Sequence, residues 1–337
     1  MMPKIPLEEQ LQTSFLWLER YKGFTPLLIS QNLAKAEKEI IKIIGEPNLN
    51  AKINAIMNEA FEPLEDSLDV DKAEVQELAY NATQNIMTAF TTIEAIKIQE
   101  NTKKRLSSSR TLIQGHTLQN HLKHVNSTTT RKIQGMIAKG FDDGSGIQEI
   151  TRNIRNTFGV LERNQLNTLT RTMLLEGIRD SQSEAFDYFE DEITLYWYDA
   201  VMDSRTTPRC FNLNGTSSKK KSDITKLLNF HYSCRSILGV KTDISEEFDQ
   251  KLVQWDKKLV NHRDGTKSNK FSVDKVKKVS STASSETAFK AFDVKFQKDY
   301  MGMSRYNLWK SGKVGFNELF SRTRNTFIPL SQLEKHL

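Results

Sequence analysis

The sequence predicts a mainly helical α+β protein, with a helical N-terminal region, a small α+β module and a helical C-terminal tail. Three observations lead there. Glycine and proline are scarce, 15 and 7 in 337 residues, too few for the turns of an all-β chain. Apolar residues recur at steps of three and four through residues 1–190. One short segment, Ile193–Val201, breaks that period with β-branched and aromatic residues and marks a strand.

Taken in order, residues 1–130 form a helical region to which the sequence assigns no role. Between Val70 and Ile98, the residues Val75, Leu78, Ala82, Ile86, Ala89 and Ile93 share one helix face. A second stripe, Leu118, Leu122, Val125, Ile133 and Met136, runs to Gly140, which reads as a helix stop. Ser145 and Gln148 have the spacing of a capping box ahead of Ile150 and Ile154. Leu161–Phe189 carries Leu166, Leu169, Met173, Ile178, Ala185 and Phe186 on a further stripe. These faces are expected to pack together as core, with a partner surface as the alternative for one of them. His121 and His124 sit three apart near His116, but without an acidic neighbour they do not make a metal signature.

The module, residues 131–245, continues from the strand at Ile193 through a polar turn, Asp203–Pro208, to Cys210. Gly215 and a basic loop holding Lys219, Lys220 and Lys221 follow, and His231–Cys234 lead into a second strand, Arg235–Val240. Residues 246–286 read as a basic segment and linker, with a short helix over Phe248–Leu259. The tail, 287–337, returns to helix with Phe292, Phe296, Leu308, Trp309, Phe316 and Leu319 as its apolar residues.

Composition narrows the function. The net charge of +6 lies wholly in residues 251–280, where nine Lys or Arg face three Asp. Such a stretch is either a solvated connector or a track for phosphates, so Lys219, Lys220, Lys221, Lys275, Lys277 and Lys278 are the candidate nucleic-acid contacts. Two cysteines exclude a disulfide framework and fit folding in a reducing cytoplasm. No run approaches the roughly 20 apolar residues of a membrane span, and Glu8, Glu9 and Glu19 interrupt the N-terminus, so it does not read as a secretory signal. A mean hydropathy of -0.54 suits long helices with solvated faces.

Both cysteines, Cys210 and Cys234, stand at strand edges close in sequence to His231 and Asp203. Three readings stay open. The first is a Zn²⁺ site of two thiolates and His231, with Asp203 or water as fourth ligand, although the usual Cys-x-x-Cys pairs are missing. The second is a facultative disulfide closing a loop of about 24 residues, worth roughly 3 kcal/mol. The third is two buried thiols in a small core, with His231 and Asp203 hydrogen-bonded locally.

Trp197, Asp203, Arg205, Thr206, Cys210, Leu213, Gly215, His231, Cys234 and Arg235, in that order, resemble the phage head-morphogenesis proteins, including the Mu F-like minor head proteins. That family carries a tryptophan strand, Asp-x-Arg-Thr-Cys-x-x-Cys, Leu-x-Gly, a variable loop and His-x-x-Cys-Arg-Cys. Upstream, Gly135, Gly140 and Thr170-Arg171-Thr172 are similar to the family, as are Met303–Lys313, Ile328–Leu330 and Leu333 in the tail. The resemblance spans residues 130–337. It fails at Thr207 and Ser236, where the family often has cysteines, so a four-thiolate zinc site cannot form. Trp197, Arg205 and Arg235 are then expected to pin the module by stacking and charge-assisted hydrogen bonds, with Asp203 paired to Arg205 or Arg235.

The resemblance implies a minor capsid protein without catalytic activity, associating with the portal and with major capsid or scaffold proteins while the procapsid is built. It implies a place in the virion, at the capsid interior or portal vertex, after assembly in the host cytoplasm. In some members it also implies contact with the packaged DNA; such contact is expected to be non-specific, because nothing in the sequence resembles a recognition module, and the sequence leads to no expected membrane partner and no expected cofactor other than Zn²⁺. The alternative is a toxin-like or DNA-processing enzyme, an ADP-ribosyltransferase or a nuclease. A nuclease has His262 with Lys258 or Arg263 to draw on, or His231 with either cysteine as base and nucleophile. The Walker loop, the dinucleotide fingerprint and the His-Glu-x-x-His helix are absent. The assembly reading requires the tryptophan strand, the Asp-Arg turn and the His-Cys return to close into one knob behind a helical stalk.

Overall fold

The computed structural model describes residues 10–11, 25–89, 91, 102, 112–113, 116–228, 231–243, 249–261, 267–280, 283–321 and 324–333. Helix α1, Thr25–Lys42, buries Ile29, Leu33, Ala36 and Ile40 at helical spacing. Helix α2, Leu49–Met87, has 39 residues and so spans about 58 Å at 1.5 Å per residue. Its first half buries Ile53, Met57, Phe61, Leu64 and Leu68. Beyond Leu68 the buried stripe becomes polar: Asp71, Lys72, Gln76, Thr83 and Gln84 alternate with Val75, Ala79 and Met87. This is not the expected face, because Leu78 is 37% exposed, Ala82 and Ile86 are only half-buried, and Ala89 is exposed. Ile93 lies outside the described residues.

Strands β1, Leu112–Ile113, and β2, His116–Thr117, form a minimal antiparallel pair. Thr117 caps helix α3, Leu118–Asp142, its hydroxyl accepting from the Asn120 amide. The helix runs past Gly140. A Cβ there would lie 2.6 Å from the Ile150 side chain, so this glycine serves helix–helix approach. The turn itself falls to Gly144, at φ +67°. Helix α4, Ile147–Val160, starts at Gly146 without a side-chain cap, so the box expected from Ser145 and Gln148 does not form. One π-helical turn, Leu161–Leu166, carries the chain into helix α5, Asn167–Asp187.

Helices α2 and α5 pack along each other and link two cores. One is an aliphatic bundle core containing Ile29, Ile53, Leu64, Ile133, Ile154 and Leu169. The other takes Met87 and Phe186 from the far ends of the same two helices. Between them lie Val75, Ala79, Leu174, Leu175 and Ile178, beside a seam of buried polar groups. Gly177 lets the seam close, since a Cβ there would stand 3.1 Å from Lys72 and 3.2 Å from Gln76. Burial lowers the Lys72 pKa, which Asp180, Asp69 and Glu176 oppose.

After a 3-10 turn, Glu190–Glu192, strand β3, Ile193–Asp199, forms the centre of a three-stranded antiparallel sheet. Helix α6, Pro208–Leu213, strand β4, Ser217–Ser218, helix α7, Lys221–Thr225, and strand β5, Ile237–Thr242, complete the module, with strand order β4-β3-β5. Trp197 stands opposite Gly239. A Cβ on Gly239 would come within 2.3 Å of the indole, so the tryptophan can be buried only because its cross-strand neighbour is glycine.

The helix expected over Phe248–Leu259 is corrected by the structure, since strand β6, Asp249–Asn261, pairs with strand β7, Lys267–Ser280, as an antiparallel hairpin. Leu252, Trp255 and Leu259 fit a helical step as well as a strand, and here the β-branched and aromatic residues and the pairing with Val273 and Val276 decide. The tail is a chain of short helices: α8, Ser285–Ala291; α9, Val294–Met301; α10, Met303–Lys310; a 3-10 turn, Phe316–Leu319; and α11, Leu330–Leu333. Phe289 lies at the middle of an aromatic cluster with Phe292, Phe296, Trp309 and Phe316, and meets Phe211 of the module edge-on at 5.3 Å. The protein is thus mainly α with a small sheet, and no described helix is long and apolar enough to cross a membrane.

Candidate functional site

The end of β3 sets up the site. Tyr198 exchanges backbone hydrogen bonds with Gly215 and Thr216, Gly215 supplying the turn at φ +78°. Asn214 accepts from the Ala200 amide at 2.9 Å. The chain then turns at Asp203, whose carboxylate is buried and accepts two bonds from Arg235, at 2.8 and 2.6 Å. The Arg205 amide donates at 2.8 Å and its guanidinium lies at 3.5 Å, while the Thr206 hydroxyl stands 3.3 Å away. Burial alone would raise the Asp203 pKa, but the Arg235 fork and the charge of Arg205 hold it below the ordinary value. Asp203 therefore pairs mainly with Arg235 and does not reach the cysteines as a fourth ligand. Arg171 on α5 is near enough to this group that burial, then the charges of Arg235 and Arg205, lower its pKa.

Behind the turn, Cys210 on α6 and Cys234 on the return bring their sulfurs to 3.7 Å, both as free, buried thiols. His231 Nε2 lies 3.0 Å from the Cys210 sulfur and 3.1 Å from the Thr207 hydroxyl. Its Nδ1 lies 2.8 Å from the Tyr232 carbonyl. A carbonyl can only accept, so Nδ1 carries a proton and Nε2 faces the sulfur; burial opposes charge on the ring, but the Cys234 sulfur and the Tyr232 carbonyl raise its pKa. Tyr198 donates to Cys210 at 3.1 Å. The hydrogen bond between the sulfurs, with burial, raises the Cys210 pKa. The same bond, helped by Arg179 and His231, lowers that of Cys234. Among the described residues this is the one group of three metal-capable side chains, its ligand atoms all within 4.8 Å of one another.

Helix α5 holds the return in place. The fully buried Arg179 donates from Nε to the Ser236 carbonyl at 2.7 Å, from Nη2 to the Cys234 carbonyl, and from Nη1 to Glu176 at 2.7 Å. Burial pushes Glu176 up to about 7 even so. Ser233 sits at φ 53°, a left-handed conformation costing a serine roughly 1–2 kcal/mol. Its amide is secured by the Thr172 hydroxyl at 2.9 Å. The sequence reading passed over Glu176, Arg179 and Tyr198. Local spacing does not single out the first two, because the buried residues of α5 also include Thr170, Thr172, Ser181 and Gln182.

The remaining candidates are spread out. His121 bonds the Tyr232 hydroxyl at 2.8 Å, with His116 edge-on at 5.7 Å, while His124 is exposed on α3. Lys219 and Lys220 are exposed. Lys221 instead pairs with Asp187 and donates to the Ser183 carbonyl at 3.2 Å, which ties α7 to the end of α5. Lys275, Lys277 and Lys278 stand on β7, and Lys258 stands on β6. His262 and Arg263 lie outside the described residues.

Of the elements that build the site, β3, the turn, α6, the return and α5 place Trp197, Asp203, Arg205, Cys210, His231, Cys234 and Arg235 in one knob on the α2–α5 stalk. The family model for Phage Mu protein F like protein matches residues 131–238, about a third of the chain, from within α3 to within β5. No curated protein and no solved structure matches the chain. The matched stretch contains the Asp203–Arg235 pair, the cysteine–histidine cluster and the Arg179 clamp that holds them, and in this stretch the chain is similar to Phage Mu protein F like proteins.

Proposed function

We propose that this chain is a minor capsid protein that docks on the portal and on capsid or scaffold proteins while the procapsid is built, and works by contact without catalysis. The Mu F-like match over the knob and helix α5 of its stalk carries this reading. The stalk suits the role, because α5 is packed along α2 and its Arg179 holds the return of the knob through the Cys234 and Ser236 carbonyls. The protein would then stay in the virion, at the capsid interior or the portal vertex. Co-sedimentation tests it. The full chain should travel with portal-containing procapsids of its own phage, and sedimentation apart from both portal and shell would overturn the reading.

The basic hairpin is the part suited to packaged DNA. In its register Lys251 stands opposite Lys278 and Lys258 opposite Lys270. Like charges facing each other across a ribbon destabilise it, and a polyanion removes that repulsion. A two-stranded ribbon also fits the major groove. Binding should be non-specific and fall steeply with salt. A flat salt dependence, or loss of DNA integrity on incubation, would favour the nuclease reading or a protein partner instead.

A further inference from the structure

We propose that Cys210, Cys234 and His231 bind one Zn²⁺ ion as a structural pin of the knob, with the fourth position taken by a water held beside Thr207. A tetrahedral zinc with Zn–S arms of about 2.3 Å has an S–S edge of about 3.8 Å. The two sulfurs already stand 3.7 Å apart. The Nε2–Sγ distance of 3.0 Å is shorter than the roughly 3.5 Å of such a site, so the imidazole has only to withdraw by about half an ångström. His231 is oriented as zinc-bound imidazoles are, with Nδ1–H donated to a backbone carbonyl and Nε2 facing the sulfurs.

The neighbourhood determines the fourth ligand. Asp203 is taken up by Arg235, and the Ser236 side chain is hydrogen-bonded to Tyr198. Thr207, in contrast, has its hydroxyl 3.1 Å from Nε2. It also lines a cavity of about 20 Å³ with Cys210, His231, Ser233 and Arg235, enough for one water. Binding converts both thiols to thiolates, releases two protons to solvent and leaves two negative charges against two positive ones. A site neutral overall can be buried beside Arg179 without a further counter-ion.

This inference is independent of the assembly role and is tested separately from it. The full chain, purified without a metal-affinity step, should contain close to one zinc per molecule by elemental analysis. Cys210→Ser and His231→Asn should each reduce that stoichiometry several-fold. Because such variants can misfold, the native chain should also be exchanged with Co²⁺, which should give the visible absorption of a tetrahedral cobalt–thiolate centre. Zinc near zero in protein made in zinc-supplemented medium, together with no cobalt absorption, overturns the proposal. An intact mass two hydrogens lighter without metal does so too, and assigns the pair to a disulfide. Co-sedimentation with procapsids can succeed or fail without bearing on either result.

Discussion

The bundle core and the knob are held together by opposite kinds of physics. Ile29, Ile53, Leu64, Ile133 and Ile154 fill the bundle through non-directional burial, where any apolar side chain of similar volume serves nearly as well. In the knob, the Asp203 carboxylate has the Arg235 fork, Ser233 has Thr172, and the Cys234 and Ser236 carbonyls have Arg179. Those interactions are directional and buried, and each group removed leaves its partner desolvated and unsatisfied. The bundle should therefore lose stability by degrees, while the knob should lose it in steps.

The largest step is expected at Asp203. Removing one partner of a buried ion pair typically costs about 3–5 kcal/mol, because the other charge stays buried. Asp203→Ala should show a loss of that size in denaturant unfolding. Replacing both partners, as Asp203→Leu with Arg235→Met, should recover much of it, since no orphaned charge remains. If the single variant is as stable as the native chain, the pair is ornamental and the contrast between the regions collapses.

Next in size is Leu64→Ala, in the middle of the bundle and fully buried, with an expected loss of about 2–5 kcal/mol from transfer and cavity terms. Leu64→Met should cost less than about 1.5 kcal/mol, because volume and polarity are nearly kept. The conservative exchange sharpens the comparison, since no equally mild replacement exists for Arg179, whose three nitrogens each donate a hydrogen bond. A Met variant as damaging as Ala would show that the bundle, too, depends on exact shape.

This difference also explains what could be read in advance. Residues Leu166 to Phe186 are legible as a helix from their apolar spacing, although Thr172–Arg179 are buried without a break, and β3 is legible from its β-branched and aromatic content. The α2 face was misread because its buried stripe holds Asp71, Lys72, Gln76, Thr83 and Gln84. Hydrophobic periodicity carries no record of polar groups buried against other helices, as Gln84 is against the Ala185 carbonyl and Asp71 against the Thr25 amide. Gly140 was read as a stop when its role is to admit Ile150, a long-range contact invisible to local spacing. Within the site, Cys210, His231, Cys234, Asp203 and Arg235 stood out as rare or charged types in a short span. Arg179 did not, because it lies 55 residues from Cys234, on a helix whose pattern gave no hint of what it faces.

Smallest at any one step, because it is spread over several pH units, is a pH dependence confined to the knob and stalk. Burial raises the Asp199 pKa from 3.8 to about 7. Between those values the folded chain keeps a proton that the unfolded chain has released, so stability is greatest at the acid end and falls as pH rises toward 7. The slope for one such group is at most about 1.4 kcal/mol per pH unit. Glu176, also raised to about 7, acts in the same direction. Asp203, held below its ordinary value, acts oppositely but only at more acidic pH. Urea midpoints measured from pH 4.5 to 7.5 should therefore decline, and Asp199→Asn should remove about half of the decline. Leu64→Ala should shift every midpoint without changing the slope, because the group it deletes does not titrate. A midpoint that rises through this window would mean that Asp199 is ionised in the folded chain, and that the knob is stabilised by a charge here credited to a neutral acid.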